Sequence, residues 1–371
     1  MAEKASTREK TAPHPEDPRK PDSPDDVTKP GWKYVLRKTM REFTTDQCTD
    51  LAAALTYYAT LALFPALLAI VSLLGLFGQA GSTTDAVLDI MGSFVSSDMV
   101  NGLRGPIQNL VETPAAGLAF ATGILGALWS ASGYVTAFSR AMNRIYSVEE
   151  GRTFFKLRPT MFVITIIAIL LLVIAGLLLV LSGPIAEQVG SAIGLGDTAV
   201  LIWSIVKWPV LAGIAVLLIA ILYYGTPNVK QPKFRWMSLG SLVALVVWLI
   251  ASLLFAFYIS NFSSYNATYG TLGTVIIFLL YVWITNIALL FGAEFDAETE
   301  RVRELQAGIE AEENIQLPPR GTKKSDKLAD KVAEDVLIGR RLRQSNGKSD
   351  GKGNTDDKDD KNDKNGDSAK R

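Results

Sequence analysis

WMSLGSLVALVVWLIASLLFAFYISNFSSYNATYGTLGTVIIFLLYVWITNIALLFGA, residues 236–293, contains no Asp, Glu, Lys or Arg. A helix of roughly 20 apolar residues crosses the hydrocarbon of a bilayer, so this stretch is too long for a single crossing. Its polar interruption, Ser260-Asn261-Phe262-Ser263-Ser264-Tyr265-Asn266, supplies a turn and divides it into spans near Trp236–Ile259 and Gly270–Gly292. Working back toward the N-terminus, further uncharged runs cover Leu51–Phe77, Thr113–Ser139, Pro159–Ala186 and Thr198–Val229, the last broken only by Lys207. Six membrane-crossing helices are expected.

Charge distribution orients them. Of 37 Lys and Arg, only ten lie between Phe43 and Glu298, and basic residues beside spans stay on the cytoplasmic side. Lys33, Arg37, Lys38 and Arg41 precede span one; Arg140, Arg144, Arg152, Lys156 and Arg158 join spans two and three; Lys230, Lys233 and Arg235 join four and five; Arg301 and Arg303 follow six. The alternate connections carry only Arg104. The expectation is a multi-pass protein of the bacterial cytoplasmic membrane with both termini cytoplasmic and no signal peptide before span one. The fold class is all-α integral membrane: residues 1–32 a disordered tail, 33–303 a six-helix domain, and 304–371 a charged, mostly disordered tail. Within that tail Leu328, Val332 and Val336 recur at four-residue spacing and suggest one amphipathic helix. Another amphipathic segment, carrying Val87, Leu88, Met91, Phe94 and Val95, is expected on the outer face between spans one and two.

The composition also excludes chemistry. His14 is the only histidine and Cys48 the only cysteine in 371 residues, which rules out an internal disulfide and a His or Cys metal cluster. His14 sits between Pro13 and Pro15 in a polar leader, a poor setting for a catalytic triad. Lys+Arg and Asp+Glu balance at 37 each, giving no whole-chain attraction to nucleic acid. No cofactor or metal is expected, and the protein is not expected to be an enzyme. The expected partners are membrane lipid and a small-molecule or lipid substrate, with self-association left open.

Several residues stand out inside the expected domain. Ala115, Ala119, Gly123, Ala127 and Ala131 follow four-residue spacing along span two, a stripe that lets neighbouring backbones approach closely. Pro65 and Pro209 each remove a backbone hydrogen bond and favour kinks in spans one and four. Lys207 is the one basic residue inside a span; it either snorkels, finds a structural partner or binds an anion. Glu294 and Glu298 are four apart on one helical face, as are Asp46 and Asp50. Each pair is expected to meet Arg37, Lys38, Arg140 or Arg144, with a cation or proton relay as the alternative. Lys207, Asp50, Tyr57, Glu294 and Glu298 are the candidates for a translocation path, although an interfacial tyrosine needs no substrate.

Five ordered motifs resemble the YihY/BrkB family of bacterial inner-membrane proteins, some of which once carried the label ribonuclease BN. They are Asp50-Leu51-Ala52-Ala53-Ala54-Leu55-Thr56-Tyr57-Tyr58 with Leu63-Phe64-Pro65; Trp129-Ser130-Ala131-Ser132-Gly133 with Ala141-Met142-Asn143-Arg144-Ile145-Tyr146; Tyr223-Tyr224-Gly225-Thr226-Pro227-Asn228; Tyr269-Gly270-Thr271-Leu272-Gly273; and Phe291-Gly292-Ala293-Glu294-Phe295-Asp296-Ala297-Glu298. The likeness covers roughly Lys33 to Glu300, and Asp296 stands where the family usually has Asn. It implies six spans with cytoplasmic ends and says little about activity. A transporter or lipid translocator is the leading expectation, a structural or recruiting membrane protein the second. A nuclease comes last, because metal-dependent RNA cleavage needs clustered ligands beside a basic path.

Topology is directly testable. In a Cys48→Ser background, an impermeant thiol reagent applied to intact cells should label Ser263→Cys and leave Ser147→Cys unlabelled; the reverse pattern overturns the orientation.

Overall fold

In the computed structural model, residues 4–77, 116–180, 197–232, 234–261 and 265–345 are described. The amphipathic segment expected between spans one and two, residues 262–264 of the expected turn and the tail from 346 onward lie outside them. The described residues are helical, without strands beyond an isolated bridge between Val229 and Pro319. In chain order the helices are α1 (Ala5–Thr11), a 3-10 turn (Pro24–Asp26), α2 (Lys29–Thr45), α3 (Cys48–Phe77), α4 (Ala116–Ile145), α5 (Phe154–Val180), α6 (Asp197–Gly225), α7 (Phe234–Asn261), α8 (Tyr265–Gln306) and α9 (Lys323–Gln344).

Helices α3 to α8 correspond one to one with the uncharged runs. Parts of four of them are long and apolar enough to cross a membrane: Phe154–Gly176, Leu201–Gly225, Leu239–Ser260 and Val275–Gln306. Their apolar residues point in every direction, and large ones such as Leu170, Ile205, Leu253 and Phe257 are exposed. A helix apolar all round and uncovered by protein is suited to lipid. The six helices close a ring in sequence order, α3 on α4, α4 on α5, and so on round to α8 on α3, with α4 also touching α6 and α8. Inside lies a continuous core built on Leu55, Phe138, Met142, Met161, Tyr223 and Leu290.

Close backbone approach concentrates between α7 and α8. A Cβ on Gly292 would fall 2.5 Å from the Gly240 carbonyl oxygen and 2.6 Å from Ala244 Cβ, and one on Gly240 would fall 2.5 Å from the Gly292 oxygen. Each glycine fits only because it has no side chain. On the expected small-residue stripe, now in α4, Gly123 is buried and Ala127 half-buried. Ala119 lies in the helix, as does Pro65 in α3, while Pro209 sits inside α6.

Two expectations change. Residues 4–28 are not a loose leader. The Arg8 guanidinium donates to the Ser147 and Ile315 carbonyls, the Ser6 N–H donates to Asp326 and Lys4 pairs with Asp330 on α9. Ser23 and Asp26 cap the 3-10 turn reciprocally, and the Thr28 hydroxyl accepts from Gly31 N–H to start α2. The composition is polar, but specific ion pairs and caps supply what apolar burial lacks. The boundary at 303 also dissolves: α8 runs to Gln306, and the segment after it packs back, burying Ala311, Ile315 and Leu317. The amphipathic tail helix does form, as α9, with Leu328, Val332 and Val336 exposed.

Gly292→Ala should destabilise the detergent-solubilised protein by about 1–3 kcal/mol through overpacking. Gly213→Ala, with nothing within 4 Å of its added Cβ, should leave the melting temperature unchanged or slightly raised.

Candidate functional site

The C-terminal third of α8 is where apolar sequence gives way to charge. Glu294, Asp296, Glu298, Glu300, Arg301, Arg303 and Glu304 are all buried, each at most 6% exposed. Ions removed from water need partners, and most have them. Arg301 Nε lies 2.9 Å from Glu298 Oε2, and its Nη1 donates to the Ala311 carbonyl. Arg303 Nη1 meets Glu300 Oε2 at 2.5 Å, while its Nε donates to the Pro21 carbonyl. Lys20, from the leader, reaches Glu300 Oε1 at 2.7 Å and Glu304 Oε1 at 3.3 Å. Glu304 Oε2 accepts the Gln316 N–H.

Glu294 is different. One carboxylate oxygen accepts from Cys48 Sγ at 3.3 Å; the other, Oε2, is buried without a hydrogen-bond partner among the described residues. Eight residues farther into the bundle on both helices, Asn286 Nδ2 donates to Thr56 Oγ1 at 3.1 Å, and Asn286 Oδ1 accepts from Tyr134 at 2.8 Å. At about 1.5 Å rise per residue, two turns or roughly 12 Å separate the two polar levels. Thr56, Asn286 and Tyr134 thus form one polar level between α3, α4 and α8, and Glu294 with Cys48 a second, with the buried apolar Ala52, Leu55 and Leu290 between them. Below the second level, Arg144 Nε forms an ion pair with Asp46 Oδ1 at 3.8 Å. Burial raises the Asp46 carboxyl above its usual range and the neighbouring Glu42 pushes the same way, with Arg144 opposing.

A second polar knot ties the loops beside this helix end. Buried Arg152 donates to the Thr226 carbonyl at 2.7 Å, to Ser139 Oγ at 3.1 Å and to Glu150 Oε2 at 2.7 Å. Burial resists Glu150 ionisation, but the Arg152 bonds prevail and hold its carboxyl below the ordinary range. Asn143 Oδ1 accepts the Asn228 N–H at 2.7 Å, and Asn228 Nδ2 donates to Glu149 and Gly321 carbonyls. The motifs at 141–146 and 223–228 therefore meet in space. Next to them Tyr146, Gln231, Pro232, Asp296, Glu300 and Arg303 line a narrow cleft.

The structure brings Glu294 to Cys48 and Glu298 to Arg301 rather than to the basic residues expected for them. Arg140 sits over the Tyr58 ring, Arg37 over Tyr34, and Lys38 pairs with Glu42. Asp50 is exposed at the start of α3, and Tyr57 is 61% exposed on the bundle's outside. Lys207 lies on α6 with Nζ 5.5 Å from the Trp208 ring centre. Sequence reasoning missed Lys20, Arg152, Gln231, Asn286 and Tyr134. A lone amide in an uncharged span could have flagged Asn286; nothing local marks Lys20.

The sequence profile of the family described as Virulence factor BrkB matches residues 39–315. The chain is 28% identical over 270 residues to a ribonuclease-like protein, YfkH, of Bacillus subtilis, covering 73% of this chain and 96% of that one. It is 30% identical to a UPF0761 membrane protein of Alkalilimnicola ehrlichii, covering 68% of this chain and 55% of the relative. A further UPF0761 membrane protein, from Alteromonas mediterranea, is 30% identical, with 67% of this chain and 82% of the relative covered. No solved structure matches.

Removing one partner from a buried ion cluster leaves an uncompensated charge. Lys20→Met should therefore destabilise the protein by about 3–5 kcal/mol, measured by unfolding in detergent, whereas Lys4→Met at its exposed pair with Asp330 should change little.

Proposed function

The chain belongs to the Virulence factor BrkB family, and we propose that it is a six-span translocator of the bacterial cytoplasmic membrane, moving a small solute or a lipid with both termini in the cytoplasm. The observation that carries this reading is Glu294: a fully buried carboxylate with one oxygen lacking a hydrogen-bond partner among the described residues, two turns below the Thr56–Asn286–Tyr134 level. Polar and ionisable groups inside a membrane bundle are costly, and they mark substrate or ion pathways. Pro209 within α6 adds a site where a helix can bend without losing a bond it already lacks. Lys207 serves as an anion contact nearer the far end of α6.

Scaffolding is the second reading, favoured by the exposed Leu328, Val332 and Val336 of α9. Catalysis is not proposed: metal-dependent RNA cleavage needs clustered ligands beside a basic path, and the chain has a single histidine, His14, and a single cysteine, Cys48. Although a relative's name includes the word ribonuclease, the purified chain is expected to leave RNA uncut.

Reconstitution into liposomes with a panel of anions, neutral solutes and labelled phospholipids separates these readings. Protein-dependent movement of one of them is expected, reduced at least tenfold by Glu294→Gln with the melting temperature kept, reduced by Lys207→Ala for an anionic cargo, and unaffected by deletion of 346–371. Movement that survives Glu294→Gln intact removes that residue from the path. No movement of any of them, with loss of a cellular phenotype on deleting 323–371 and so removing α9, favours scaffolding.

A further inference from the structure

The cleft beside the charged end of α8 contains the second carboxylate of the helix that lacks a cationic neighbour. Asp296 is 6% exposed; its Oδ1 accepts the Gly240 N–H at 2.7 Å, and its Oδ2 is buried with no hydrogen-bond partner among the described residues. Also lining it, Gln231, 8% exposed, lies beside the Tyr146 hydroxyl and has its Oε1 buried with no hydrogen-bond partner among the described residues. Two side chains more than nine-tenths buried, from different segments, thus bring unused polar atoms to one small space. Burying such atoms unmatched is unfavourable, so the arrangement calls for an occupant.

The chemistry of the wall narrows what that occupant is. Asp296 offers one anionic oxygen and Gln231 a neutral carbonyl oxygen. Tyr146 and Thr299 are the other neutral oxygen-bearing side chains there. The Thr299 hydroxyl spends its proton on the Phe295 carbonyl at 2.7 Å, leaving oxygen lone pairs. Arg303 is engaged by Glu300 and the Pro21 carbonyl, and Glu300 is shared with Lys20, so these two lining residues answer each other. One unanswered carboxylate among neutral oxygens suits a single positive charge. A divalent ion takes more carboxylates, and an anion would face Asp296 unopposed.

We propose that this cleft is a binding site for a monovalent metal cation, sodium or potassium, held by Asp296 Oδ2 and Gln231 Oε1, which ties α8 to the segment between α6 and α7. The site is separate from Glu294 and does not depend on translocation.

The test uses the full chain purified in detergent, melted at constant ionic strength while choline is replaced by sodium, potassium or lithium. A saturable rise in melting temperature is expected with sodium or potassium over choline. It should be abolished in Asp296→Asn, weakened in Gln231→Met and retained in Glu312→Gln, an exposed carboxylate elsewhere. If Asp296→Asn does not fold, Gln231→Met carries the test. Indifference to cation identity overturns the proposal and leaves Asp296 protonated or bridged by water. Equal stabilisation of wild type and Gln231→Met overturns the assignment of the site, and a larger effect from magnesium or calcium overturns the monovalent class.

Discussion

A 42-residue helix cannot remain in hydrocarbon along its whole length. Helix α8 is about 63 Å long at 1.5 Å per residue, roughly twice the thickness of a bilayer's apolar core. Its sequence registers the exit: no charge before Glu294, then seven charged residues by Glu304. These charges are buried by the chain itself instead of being left in water, so most of them pair within the protein. The rest of the charged end follows from that requirement. Helix α2 packs along α8, the leader brings Lys20, and the segment after α8 turns back to give the Ala311 carbonyl and the Gln316 N–H.

The ring of helices obeys a different rule. Where lipid removes the hydrophobic incentive for association, helices adhere through close backbone contact and interhelical hydrogen bonds. Gly240 against Gly292 provides the first between α7 and α8; Asn286 with Thr56 and Tyr134 provides the second between α8, α3 and α4. The Tyr223 hydroxyl adds a bond to the Leu289 carbonyl from α6. Four helices, α3, α4, α6 and α7, are thereby fastened to one face or another of α8 by polar or small groups.

The series of long apolar helices, four of them with segments long and apolar enough to cross a membrane, is legible because lack of charge over twenty residues is a local property that survives in any tertiary setting. Helix ends were less so: α4 continues six residues past Ser139 and α8 fourteen past Gly292, since nothing in a charged helical face reveals whether solvent or protein covers it. The small-residue stripe of α4 could be read by spacing, yet the tightest contact lies at Gly240 and Gly292, which are 52 positions apart and are paired only by how α7 and α8 cross. The leader was misjudged for a related reason. Its Pro, Asp and Lys content argues against a core, and Lys20 becomes buried through ion pairs 280 and 284 residues away. Glu294 could be singled out from sequence; that it would meet Cys48 rather than an arginine could not.

These attachments divide the molecule mechanically. Moving α8 against the leader would separate Lys20 from Glu300 and Glu304, and Arg303 from the Pro21 carbonyl, in a water-poor setting, which is expensive; α8 and the leader should shift as one body. Helices α5 and α6 carry no part of the ion cluster, although Tyr223 bonds α6 to the Leu289 carbonyl of α8. They join the ring through neighbours on either side, expose apolar residues to lipid over most of their surface, and carry the interior prolines Pro159 and Pro209. Any opening of the ring that conserves the ion cluster must therefore be taken up on the α5–α6 side, with α8 and its polar levels as the fixed wall.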